Sequence, residues 1–187
     1  LKIQKPQTLT METSTIQVGH NWKSVSLEND YHSPIVVTGP PTYNGHDGCT
    51  VRVRNVGPSS FDIRILEWPQ FRAGAQKGRH IEETVGVLVI EAGSYTLPSG
   101  LRIQAGTANV SDNFENIRFS TAFSTTPMLL SQVVSTNDAA AATIRHRNIS
   151  KTSFQARLQG NEARMKHGKE TVHWIGITPG SGAISDL

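Results

Sequence analysis

Cysteine is almost absent from this sequence. Cys49 stands alone among 187 residues, so no intrachain disulfide can form and stability must come from packing. Long apolar runs are missing as well. None approaches the roughly 18 residues that a membrane helix needs, and no charged-then-apolar leader opens the chain, which predicts no membrane span. Lys and Arg are not gathered into a block. The net charge of +3 and the pI near 9.2 are spread along the chain, which permits an anionic ligand but argues against a nucleic-acid tail. No G-x-S-x-G, P-loop or H-E-x-x-H motif occurs, and His46 close to Cys49 does not by itself make a nucleophile and base. The reading is therefore non-catalytic, with no cofactor. The start at Leu1 and the end at Leu187 read as those of a piece of a longer polypeptide.

What the chain does contain is a repeat. T-V-R-V-R-N at 50–55 matches T-I-R-H-R-N at 143–148, and the same 93-residue offset joins Pro34 to Pro127, Phe61 to Phe154 and Arg64 to Arg157. His80 and Glu83 match His167 and Glu170 at an offset of 87, and the change of offset falls in W-P-Q-F-R-A-G-A-Q-K-G-R. Upstream, Ile16-Gln17-Val18-Gly19 pairs with Ile103-Gln104-Ala105-Gly106, again 87 apart. Two copies follow, over residues 1–97 and 98–187.

Within each copy apolar residues recur at every second position, the period of a strand with one face buried. Val51 and Val53 alternate with Arg52 and Arg54; after V-G-P-S-S come Phe61, Ile63 and Ile65, alternating with Asp62 and Arg64. This predicts a hairpin, repeated over 143–149 and 153–158. V-G-V-L-V-I and V-H-W-I-G-I are apolar at both parities and predict central strands covered on both sides. Trp174 is predicted core, and Trp22 packing before a strand. The fold class is all-β: two tandem antiparallel β-sandwich domains.

Several of these stretches resemble the H-type lectins, the family of snail agglutinins and discoidin C-terminal domains. They are R-I-Q-A-G (102–106), N-I-R-F-S-T-A-F-S-T-T-P-M-L-L (116–130), S-K-T-S-F-Q-A-R-L (150–158) and V-H-W-I-G-I (172–177), with S-P-I-V-V, P-S-S-F-D-I-R-I and E-T-V-G-V-L-V-I in the first copy. The resemblance implies a six-stranded sandwich, assembly as a homo-oligomeric trimer, a secreted location and binding of N-acetylgalactosamine-type sugars. The family's sugar residues transfer poorly. Trp68 falls on its Trp but Pro69 replaces its His; the pair becomes Asn161 and Glu162 in the second copy, and Gly48 and Ala141 stand where the family has Arg. Fold transfers further than ligand.

The expected partner is carbohydrate, with anionic or sulfated polysaccharide among the candidates. Trp68, after Glu67, opens the inserted loop that holds Arg72, and is either a flat platform for a pyranose or the cover of a sheet end. The loop G-P-P-T-Y-N-G-H-D-G carries Tyr43, Asn44, His46 and Asp47, which suit sugar hydroxyls and tight turns equally. The second copy keeps only Asn137 and Asp138 there, so the first copy is expected to bind more strongly. Arg52 should lie across from Arg64, and Arg145 from Arg157. Opposed like charges need an acid; Glu83 or Glu170 could supply it, or else an anionic ligand. His80-x-x-Glu83 and His167-x-x-Glu170 lack the third ligand that a metal site requires, and read as structural.

Overall fold

The computed structural model describes residues 8–68, 79–161 and 166–180. Among them there is no helix, and hence none long and apolar enough to cross a membrane. The strands are β1 (Met11–Val18), β2 (Lys23–Ser26), β3 (Pro34–Pro41), β4 (Cys49–Gly57), β5 (Ser60–Glu67), β6 (Glu83–Glu91), β7 (Gly93–Thr96), β8 (Arg102–Val110), β9 (Glu115–Arg118), β10 (Met128–Val133), β11 (Thr143–Arg147), β12 (Ser153–Gln159) and β13 (Glu170–Ile177). All pairings are antiparallel. The first unit has sheets β1-β6-β3 and β2-β5-β4; the second has β7-β8-β13-β10 and β9-β12-β11.

The alternation seen in the sequence is what divides each sheet into two faces. In β5, Phe61, Ile63 and Ile65 are buried; in β12, Phe154, Ala156 and Leu158 are. Each set meets the inner face of its partner sheet, where Val36, Val85, Val87 and Val89 close the first core. The second core is more aromatic. Phe119 stacks on Phe154 at 5.5 Å, and Trp174 stands edge-on to both at 5.7 Å. The β4–β5 and β11–β12 hairpins place Arg52 opposite Arg64 and Arg145 opposite Arg157, as the spacing predicts. Asn55 and Asn148 both sit at φ 50°, a left-handed conformation that Asn accepts more readily than most side chains.

The upstream alignment of the repeat needs correction. Val18 lies opposite Glu83 and Val110 opposite Glu170, so β1 corresponds to β8 at an offset of 92, not 87. A slip of five residues is odd, and odd slips exchange faces. Ile16 points into the first core, whereas Ile103 points out of the second. The strands predicted to be covered on both sides also differ. β13 is buried on both faces, but β6 leaves Gly86 exposed and Leu88 half-buried.

A third apolar layer lies between the units, where Ile35, Val37 and Ile90 pack on Ile103, Ala105, Ile175 and Tyr95. Burying five such Ile and Val side chains is worth up to about 1.5–3 kcal/mol each. β7, from the segment of the first copy, hydrogen-bonds to β8 and carries Tyr95 into this layer. The β7–β8 turn closes through Gly100 at φ 83°, where a Cβ would be strained. Several polar groups in the seam are paired. Val36 N–H donates to His173 Nδ1 at 2.9 Å, and Gln132 bridges Thr38 Oγ1 and the Val51 carbonyl. Burial holds His173 down to about 4, against a smaller upward push from its bond to Val36, so the ring is neutral and can accept.

Candidate ligand-binding loops

Each unit has a loop at one end, between β3 and β4 in the first and between β10 and β11 in the second, and in both a buried glutamate at the start of the last strand ties that loop down. In the first unit the Glu83 carboxylate accepts from Thr42 Oγ1 at 2.6 Å, Asn44 N–H at 3.0 Å and Gly45 N–H at 2.7 Å. Burial pushes its pKa up, but these donors and His80 outweigh that and hold it at about 2. His80 lies between two carboxylates, Nδ1 at 3.3 Å from Glu67 and Nε2 at 3.1 Å from Glu83. Its ring packs under Gly45, where an added Cβ would come within 2.7 Å of Cε1. Only glycine fits there, so H-x-x-E is a device that shapes a loop. Among the described residues no group of three or more His, Cys, Asp or Glu is placed to hold a metal. The Cys49 thiol is pushed up by burial and then by Glu83 and Glu67, which disfavours the reactive thiolate.

Over this base the first-unit candidates gather at one end of the sandwich. Tyr43 is 78% exposed and stands edge-on to His46, ring centroids 5.9 Å apart. Asp47 is exposed on the same loop. Asn44 is exposed as well, with its Nδ2 donating to the Glu82 carbonyl at 2.9 Å. Trp68 N–H donates to the Gly48 carbonyl at 2.8 Å, and its half-buried indole lies against Gly48. Glu67 faces inward to His80. The structure thus brings Tyr43, Asn44, His46, Asp47 and Trp68 to one rim, with the Asn44 amide tied to the Glu82 carbonyl and Glu67 turned to His80. Arg72, Pro69 and Glu162 lie outside the described residues.

The second-unit loop is used differently. Glu170 accepts from Ser135 Oγ, from Asn137 N–H at 2.9 Å and from Asp138 N–H at 3.0 Å. Its fourth partner is Arg52 of the first unit, at 3.1 Å, with both side chains buried. The Arg52 guanidinium also donates to the carbonyls of Ala140, Ser135 and Asp138. Asn137 donates through Nδ2 to the Lys169 carbonyl, while Asp138 accepts from Ala140 N–H and Gly168 N–H. These two side chains are engaged within the loop, and the loop is bound into the seam. Of the two acids expected to relieve the arginine pairs, Glu170 does so for Arg52, across units; among the described residues Glu83 meets Thr42, Asn44, Gly45 and His80.

A further feature did not emerge from the sequence. The Trp22 indole is bracketed by the guanidinium groups of Arg54 and Arg64, 4.1 and 4.5 Å from its centroid, and Phe114 occupies the same place beside Arg147 and Arg157, at 3.6 and 5.5 Å. One member of each opposed pair, Arg64 and Arg157, is thus met by a ring, and cation–π attraction offsets part of its repulsion. A cleft of about 610 Å³ opens beside Trp22, lined by His20, Asn21, Lys23, Arg79 and Ile81 among others. Trp22 and Phe114 are 92 apart, so the offset of 87 concealed their equivalence.

No family model and no solved structure matches this chain. The chain is 26% identical, over 183 residues, to Halomucin of Haloquadratum walsbyi; the match covers 89% of this chain. It spans only 2% of the length of that protein.

Proposed function

We propose that the chain is a non-catalytic carbohydrate-binding module of H-type lectin character, carried outside the cell as part of a longer polypeptide. The observation that carries this reading is the first-unit loop, whose backbone is fastened by the Glu83 carboxylate while Tyr43 and His46 stand in solvent and Trp68 lies against Gly48 at the loop's end. Rigid support beneath exposed aromatic and polar groups is what sugar recognition requires, because a pyranose presents an apolar face and hydroxyls together. The second-unit loop, tied to Arg52, is the weaker binder in this reading. The likeness to a protein named halomucin supports the extracellular setting.

A glycan array carrying neutral, sulfated and uronate saccharides, read at two salt concentrations, tests it. Tyr43→Ala and Trp68→Ala should each weaken retention about tenfold, a loss of roughly 1.4 kcal/mol, with the melting temperature nearly unchanged. A ligand held by charge would fall off steeply at the higher salt. Retention unaltered in both variants would remove the loop from consideration. A second reading, a purely structural module of a larger extracellular protein, is favoured by the small share of its long relative that the chain matches. It predicts no glycan signal at all.

A further inference from the structure

The outer face of the β9-β12-β11 sheet carries arginine and no acid. Strand register puts Arg145 and Arg147 of β11, Arg157 of β12 and Arg118 of β9 on that face, with Gln155 and Gln159 between them. Arg118, Arg145 and Arg147 are exposed and Arg157 is half-buried. Their hydrogen-bond partners are neutral. Arg145 donates to Gln159 at 3.0 Å, Arg147 to Gln155 at 2.8 Å, and Arg157 through Nε to the Leu158 carbonyl at 3.3 Å. Glu115, at the start of β9, has the opposite parity, and its carboxylate accepts from Ser111 Oγ at 3.1 Å. Among the described residues, the arginines that meet a carboxylate are Arg52 and Arg54 of the first unit. The equivalent face there is balanced. Asp62 stands where the second unit has Gln155, and holds Arg54 at 3.2 Å. Ser26 stands where the second unit has Arg118, and Arg52, the counterpart of Arg145, is buried against Glu170. The differences at all of these positions leave more positive charge on the second face.

From the spacing and rise of paired strands, Arg118, Arg145, Arg147 and Arg157 spread over on the order of 15 Å, too wide for one small anion. We propose that this face binds an anionic polysaccharide, whose sulfates or carboxylates repeat along the polymer. Guanidinium forks match either group with two parallel hydrogen bonds, and the amides of Gln155, Gln159 and Asn116 border them for the hydroxyls between. An anion between Arg145 and Arg157 relieves their opposition, the service that Glu170 renders to Arg52 in the first unit. A single-stranded nucleic acid fits less well, because its bases need an open ring to stack on. Phe114, the ring at this face, is half-buried, with the Arg147 guanidinium 3.6 Å from its centroid. The site is separate from the first-unit loop, and the inference does not rest on sugar binding there.

Binding of the full chain to dextran sulfate and to polygalacturonate, with neutral dextran and single-stranded DNA alongside, tests it over a series of salt concentrations. The chain should bind at least one of the two charged polysaccharides and not the neutral one, with affinity falling steeply as salt rises. Arg118→Gln combined with Arg145→Gln should weaken binding at least tenfold and flatten the logarithmic salt dependence by about one for each charge removed. Gln155→Asp, which installs the acid that the first unit has beside Arg54, should weaken binding severalfold although every arginine is kept. These are surface changes, so the melting temperature should hold. Arg54→Gln in the first unit and Tyr43→Ala in the loop should leave this binding unaltered, and the second of these separates the test from that of the loop. No binding to either charged polysaccharide at low salt would overturn the proposal. So would affinity indifferent to the double variant and to Gln155→Asp, an equal loss from Arg54→Gln, or tighter binding of DNA than of both polysaccharides.

Discussion

Removing the Arg52 guanidinium should cost far more than removing its counterpart in the repeat. Arg52 and Glu170 are both buried, and the guanidinium serves four acceptors in the second unit. Breaking a buried pair from one side costs about 3–5 kcal/mol, because the other charge is left stranded. Glu170 would keep Ser135, Asn137 and Asp138 as donors, which places Arg52→Ala near the lower end, at about 3 kcal/mol. For a chain of this size that is a fall in melting temperature of roughly 6–12 °C. Arg145, which occupies the same place in the second unit, is exposed and bonds to Gln159; Arg145→Ala should stay within about 0.5 kcal/mol of the parent. Urea unfolding followed by tryptophan fluorescence measures both. Since Arg52 joins the units, its loss should also broaden the transition or split it in two. A cycle adding Glu170→Gln should show coupling of more than about 1 kcal/mol. If Arg52→Ala and Arg145→Ala unfold within 0.5 kcal/mol of each other (the scale on which surface changes act), the seam is not held by this pair.

Acid should act in two windows. His173 is depressed from 6.5 to about 4, so the unfolded chain binds its proton first, and the stability due to the neutral ring is lost as pH falls from 6.5 through 4. The loss is on the order of 3 kcal/mol, visible as a falling urea midpoint that His173→Gln should flatten. Glu83, depressed from 4.5 to about 2, contributes stability that is complete above pH 4.5 and disappears as pH falls through 2; Glu83→Gln should remove that lower part of the acid profile. At the hairpins, Asn148→Val should cost about 1–2 kcal/mol for a left-handed backbone that a β-branched residue resists, whereas Asn148→Gly should be close to neutral in a thermal melt.

The hairpins, the Arg registers and the central positions of β6 and β13 were legible because each follows from alternation and turn chemistry over a few residues. The start of the repeat was not. I-Q-V-G and I-Q-A-G look alike, yet alternating sequences match themselves at many slips, and register is set by which residue faces Glu83 or Glu170. Misplacing that start hid the likeness of Trp22 to Phe114. Contacts between units were beyond reach for another reason. Repeat logic assigns Arg52 and Arg145 the same role, but only Arg52 has a neighbouring unit in front of it. In the loops, Tyr43 and Asn44 looked equivalent as polar turn residues; the fold leaves the Tyr43 ring in solvent and ties the Asn44 amide to the Glu82 carbonyl.

Strand β7 has a practical consequence for anyone dividing this polypeptide. A cut after residue 97 would leave Gly93–Thr96 on the wrong fragment and strip the outer rail from β8, exposing a row of amide and carbonyl groups ready to template aggregation. A cut just after Ala92 keeps that edge closed. In a longer string of such modules built the same way, every connector would double as the border strand of the domain that follows it, so the string could bend only where its links are already woven into cloth.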